Sequence, residues 1–169
     1  RPFGECSSMI FHPSSLILLA AVLLLPSCGF HLRGQAALPF ESLYVSGTSV
    51  FANQLKRAVR AGSKTRVIDN QKDAQVTLQI LSEATERTIL SLSSSGRVRE
   101  IMLSYRISFR LHNRANKEYI PTSEILMRRD LSYRDTDVIA KEHEESLLYR
   151  DMQSDAVQQL MRRLQAARM

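Results

Sequence analysis

The chain has 169 residues, 44% hydrophobic and 24% charged, with a formal net charge of +6. That supports one domain with a real core and leaves little room for two. With 6 Gly, 5 Pro and 2 Cys, collagen-like repeats, a disulfide scaffold and a cysteine-based zinc site are excluded. The basic excess favours anionic partners without naming one.

The first element is apolar. Leu16 to Pro26 is an 11-residue stretch without a charge. As a helix it covers about half of a ~30 Å hydrocarbon core, so it reads as a processing signal and not a span. A buried core helix would show a polar face, and this segment shows none. It ends in Leu25-Pro26-Ser27-Cys28, which resembles the lipobox of bacterial lipoproteins. That resemblance implies acylation of the Cys28 sulfur and cleavage just before it. Residues 1–27 are then a signal peptide, with residues 1–8 as upstream sequence and Met9 as the start. Residues 28–169 form the single mature domain. Each buried acyl methylene contributes ~0.8 kcal/mol, so several chains on one residue anchor durably. Gly29, not Asp, follows Cys28, which by the sorting rule of such lipoproteins implies the outer membrane.

Leu43-Tyr44-Val45 reads as a first strand. Thr48 or Ser49 can cap a helix, because a hydroxyl oxygen accepts the free N–H groups of a first turn. Phe51, Leu55, Ala58 and Val59 share one helical face, and Gly62 suits the stop. Arg66-Val67-Ile68 adds at most a brief extended piece. From Val76 the period becomes two, with Leu78 and Ile80 alternating with Thr77 and Gln79. The alternation blurs towards Leu92 and ends in the turn composition Ser93-Ser94-Ser95-Gly96.

The next strand is the clearest element. Ile101, Leu103, Tyr105, Ile107, Phe109 and Leu111 point one way, while Met102, Ser104, Arg106, Ser108 and Arg110 point the other. His112 to Asn116 reads as a second turn. A third long strand follows over roughly Glu118 to Tyr133, with Pro121 near its start where a missing N–H is tolerated. Residues 135–137 open a terminal helix to about Arg163. Its core stripe is Tyr149, Met152, Ala156, Leu160 and Leu164, with Arg162, Arg163 and Arg168 near the negative end of its dipole. The predicted fold is α+β in the order β-α-β-β-β-α. It is an antiparallel-dominated mixed four-stranded sheet with two helices packed on one face.

Catalysis finds little support. A hydrolase needs a nucleophile, a base and a group to orient it. Past the leader only His31, His112 and His143 remain. His31 lies beside the anchor, His112 ends a strand, and His143 sits among acids. Glu142-His143-Glu144-Glu145 does not make a metal site, because consecutive helical residues diverge by ~100°. Acids favoured by a helix N-terminus explain it. No Gly-x-Ser-x-Gly elbow and no glycine-rich phosphate loop occur. The expectation is no enzyme, no cofactor and no metal.

Cys28-Gly29-Phe30-His31-Leu32-Arg33-Gly34 resembles the mature start of the lipopolysaccharide-assembly lipoprotein family, LptE. The tail resembles it again through Val138-Ile139-Ala140-Lys141-Glu142-His143-Glu144-Glu145, then Leu147, Met152, Gln159-Leu160 and Arg163-Leu164. The resemblance covers most of residues 28–165. It implies an accessory subunit that inserts into the lumen of the LptD β-barrel translocon, helps it assemble and aids insertion of lipopolysaccharide into the outer leaflet. Nucleic acid is not an expected partner. A basic residue at the hairpin tip and a lysine at the last helix start are implicated in lipopolysaccharide binding in that family. Lys141 carries over directly. At the tip the family arginine precedes the turn glycine, where this chain has Ser94, and Arg97 or Arg99 after the turn stands in for it. Arginine suits the role, since its planar fork pairs bidentately with phosphate oxygens. The alternatives are an auxiliary lipoprotein of another lipid-trafficking system, or a hydrolase using one of Ser93, Ser94 or Ser95.

Overall fold

The computed structural model describes residues 37–133 and 138–168. The leader, Cys28, His31 and residues 135–137 lie outside the described residues. In chain order the elements are β1 (Ser42–Val45), α1 (Val50–Gly62), β2 (Arg66–Val67), a 3₁₀ turn (Gln71–Asp73), β3 (Val76–Leu92), β4 (Val98–Asn113), β5 (Glu118–Ser132) and α2 (Val138–Gln165). The α+β class and the sequence of long elements follow the predicted pattern.

The sheet has five strands, not four, in the order β2-β1-β3-β4-β5. The fifth strand is the brief extended piece at Arg66–Val67, which pairs in parallel with Ser42–Leu43. Backbone bonds from Arg66 N to Glu41 O and from Ile68 N to Leu43 O, each 2.9 Å, fix it there. Two residues carry no periodicity, so the alternation rule is blind to such a strand. β1 also pairs in parallel with β3, while β3–β4 and β4–β5 are antiparallel. The sheet is therefore mixed, with a short parallel side and a long antiparallel one.

Helix α1 forms where an N-cap precedes an apolar stripe. Ser49 is the cap, its hydroxyl accepting from Ala52 N at 3.2 Å. Phe51, Ala52, Leu55 and Val59 are buried. The helix ends on Ser63, whose N–H and hydroxyl both donate to Val59 O. Gly62 is thus the last helical residue and not the cap. In α2 the stripe Met152, Ala156, Leu160 and Leu164 is buried as predicted, and Tyr149 packs partly buried at its edge.

The inward face of β4 closes the core. Ile101, Leu103, Tyr105, Ile107, Phe109 and Leu111 are all 0% exposed. Each side chain of this size stabilises the fold by roughly 1.5–3 kcal/mol on burial. Pro121 falls in a break in the β4–β5 register between Ser123 and Ile120, where no ladder N–H is required of it. Helix α2 lies over β4 and β5. Arg129 of β5 bonds Asp155 at 2.7 Å, and Arg163 donates to Glu124 O at 3.0 Å with its guanidinium over the Phe109 ring.

Candidate functional site: the hairpin tip

The turn between β3 and β4 is held by its own serines. Ser93 N donates to Arg97 O at 2.7 Å, Gly96 N to Ser93 O at 2.9 Å, and Arg97 N to the Ser93 hydroxyl at 3.0 Å. Gly96 takes φ +77°, a left-handed conformation that a side chain would strain. This is the structural role of the Ser-Ser-Ser-Gly stretch. Ser93 and Ser95 bond each other at 2.9 Å.

Two irregularities follow, one on each strand. Between the pairs Ile89↔Ile101 and Ser91↔Glu100, β3 carries an extra residue, Leu90. Between Ser91↔Glu100 and Leu92↔Val98, β4 carries an extra residue, Arg99. Such bulges re-aim side chains and increase local twist. Arg97 and Arg99 are therefore not same-face neighbours on one regular strand. Arg97 belongs to the turn, and Arg99 is a bulge residue whose carbonyl accepts from Tyr133 N at 2.7 Å.

Both arginines are exposed. Arg97 Nε reaches the Ser95 hydroxyl at 3.3 Å. Glu100, the nearest acid along the strand, accepts from the Ser91 hydroxyl at 2.8 Å. Lys141 is half-buried in the first turns of α2, which begins five residues after Tyr133, at the end of the sheet where Tyr133 meets Arg99. Its amine bonds Glu144 at 2.7 Å. The tip thus presents two exposed guanidinium groups, with an ion-paired lysine towards the same end of the sheet.

Two features escaped the sequence. The first is apolar: Ile89, Leu90 and Leu92 are 56%, 49% and 56% exposed beside these arginines. The run Ile-Leu-Ser-Leu, which breaks alternation just before a turn, was the available signal. The second is a polar contact at the core. The Tyr105 hydroxyl donates to Glu83 at 2.6 Å, and burial, followed by that carboxylate, pushes the phenol far above its ordinary range. No pattern in one strand announces a cross-strand pair of this kind.

Clefts also lie away from the tip. One of about 510 Å³ lies between α2 and β3, lined by Arg87, Glu142, Glu145, Tyr149, Arg150 and Gln153. Its mixed charges suit internal pairing: Arg87 lies 3.8 Å from Glu145 and bonds the Tyr133 hydroxyl at 2.8 Å. His112 is buried with Nδ1 2.9 Å from Asn113 O, a structural contact. Among the described residues no group of His, Cys, Asp and Glu could hold a metal, and no helix is long and apolar enough to cross a membrane.

Comparison with known proteins bears on this geometry. The family model described as LptE, lipopolysaccharide-assembly, matches residues 40–164. The LPS-assembly lipoprotein LptE of Pectobacterium atrosepticum is 27% identical over 158 residues, covering 89% of this chain and 83% of that protein. Its namesake in Photorhabdus laumondii is 25% identical over 157 residues, with 89% and 84% covered. Among solved structures, lipoprotein B of Nitrosomonas europaea superposes with a TM-score of 0.71 at 40% identity, covering 82% of this chain and 91% of that one. The rare lipoprotein B of Shewanella oneidensis shares the fold, with a TM-score of 0.65 at 22% identity over 74% of this chain and 94% of that one.

Proposed function

Because the chain belongs to the LptE family of lipopolysaccharide-assembly lipoproteins, we propose that it is a non-catalytic subunit of an outer-membrane translocon. In this reading acylated Cys28 tethers it to the periplasmic side of the outer membrane. The folded part sits in the lumen of an LptD-type β-barrel and helps that barrel assemble. Arg97, Arg99 and Lys141 take the phosphates of lipopolysaccharide during its insertion into the outer leaflet.

The observation that carries the reading is the separation of the two sheet faces. The helices pack against the inward side chains of β4. The other face carries hydroxyls and paired charges, with Arg106 bound to Glu124 at 3.3 Å, Arg110 to Glu118 at 3.5 Å, and Arg110 to Gln79 at 2.8 Å. A satisfied polar face of this kind suits the polar interior of an outer-membrane barrel. At the end of the same sheet the exposed arginines offer phosphate a bidentate partner.

Mild detergent extraction tests the reading: the protein is expected to co-elute with a large outer-membrane barrel, its intact mass corresponding to a start at Cys28 plus acyl chains. Recovery alone, with a bare thiol, refutes it. Changing Arg97, Arg99 and Lys141 together to Asp is expected to weaken lipopolysaccharide binding at least about tenfold at low salt, where screening is least, while leaving the barrel complex intact. Unchanged binding removes these three from the site.

A further inference from the structure

The three exposed aliphatic side chains of the tip have no role in phosphate recognition. Among the described residues, Ile89, Leu90 and Leu92 account for half of the exposed large hydrophobics, the others being Val50, Leu81 and Leu147. The register shows how they are placed. Ile89 and Leu92 pair with Ile101 and Val98, so both rise on the helix-bearing face, and Leu90 bulges between them. Val98 packs partly buried against the core, so this face of the tip is continuous with apolar surface below.

The cations lie one step away. Arg97 adjoins Val98, the partner of Leu92, and Arg99 adjoins it on the other side. With strands ~4.8 Å apart and residues ~3.4 Å apart, an arginine and an aliphatic side chain sit within a rung or two of each other. A molecule meeting both must join anionic groups to hydrocarbon over that short span.

Resting on the reading of this tip as a lipopolysaccharide site, we propose that Ile89, Leu90 and Leu92 receive the acyl chains of the lipopolysaccharide whose phosphates Arg97 and Arg99 hold. An extended polypeptide is the poorer occupant. The outer edge of β3 is free of β1 beyond Leu78, yet the Tyr149 hydroxyl occupies the Glu86 carbonyl at 3.0 Å. The bulge at Leu90 breaks the spacing a new strand would need. The charge beside the patch also matches a phosphate-bearing amphiphile better than a neutral strand.

The test uses the full chain in phosphatidylcholine nanodiscs with two probes, lipopolysaccharide and the same lipopolysaccharide stripped of its acyl chains. The unaltered protein is expected to bind the intact form about tenfold more tightly, the order set by a few buried methylenes. The triple variant Ile89→Ser, Leu90→Ser, Leu92→Ser is expected to bind the intact form only as well as the stripped one. Its melting temperature should not change, because the positions are exposed. Leu92→Met, which keeps the hydrocarbon, is expected to retain the preference. A triple variant that still prefers the intact form overturns the acyl contact and leaves the phosphate reading standing. Failure of the unaltered protein to bind either form overturns both. Loss of attachment to phosphatidylglycerol vesicles, with lipopolysaccharide binding unchanged, makes a bilayer the occupant and overturns the proposal.

Discussion

β3 and β4 are hydrogen-bonded along nearly their whole length, yet they live in different surroundings. β4 keeps every inward side chain from Leu111 to Ile101 fully buried. β3 is buried only at Val76, Thr77 and Leu78, and most of its residues from Leu81 onward are exposed. The cause lies outside both strands. β1 ends at Val45, so among the described residues no strand pairs with the far edge of β3 beyond Leu78, and α2 lies over β4 and β5 instead. Burial in a sheet is set by what lies above and beside a strand as much as by its own pattern. An apolar residue left outside that cover is available to a ligand.

The sharpest break of this contrast is a matched truncation. Leu103→Ala in β4 is expected to cost about 2–5 kcal/mol, the cost of a core cavity. Leu90→Ala in β3 is expected to stay within about 0.5 kcal/mol. Urea denaturation of both variants measures it, and equal losses would mean that the tip is covered after all.

A smaller effect falls where the two strands share a buried hydroxyl. Tyr105→Phe removes the bond to Glu83 and is expected to cost about 1–2 kcal/mol. The same change alters alkaline stability. The buried phenol keeps its proton in the folded chain at pH values where an unfolded tyrosine, with a pKa of about 10, has lost it. The unfolded state then binds fewer protons, so stability is full below pH ~10 and falls as pH rises above it. Tyr149, raised first by burial and then by Glu145, contributes with the same sign. Melting curves across that range are expected to decline less steeply in Tyr105→Phe than in the parent, with Tyr149 leaving a residual slope.

An effect smaller than that of Tyr105→Phe is expected from Tyr149→Phe, which frees the Glu86 carbonyl on the exposed edge. About 0.5–1 kcal/mol is expected, with faster amide exchange in β3 around Glu86 and Arg87. Unchanged exchange would show that the edge needs no such cover.

What the sequence disclosed follows the same division. β4 was legible because one face is buried throughout, so all six inward residues kept strict alternation. The stripe of α2 was legible for the matching reason at helical spacing. β2 was legible only as a brief extended piece and not as a member of the sheet, because two residues hold no period. The blur at the end of β3 was visible, but its cause was not: the extra residue Leu90 shifts parity, and apolar side chains there no longer mark a buried face. Of the site, the serine-glycine turn and the two arginines that follow its glycine could be read from the sequence. The neighbouring hydrocarbon could not, since whether an aliphatic residue in a strand is covered depends on elements far away in the chain.

The paired bulges near the turn have a mechanical consequence. Each rail of the hairpin carries one surplus residue, Leu90 on one and Arg99 on the other, so Ile89–Ile101 and Leu92–Val98 stand in the same count as in an unbroken ladder. The tip is kinked on both sides yet lengthened on neither. Removing one surplus residue alone would leave the opposite kink without a counterweight and swing the whole headpiece, guanidinium groups and hydrocarbon together, away from its present bearing.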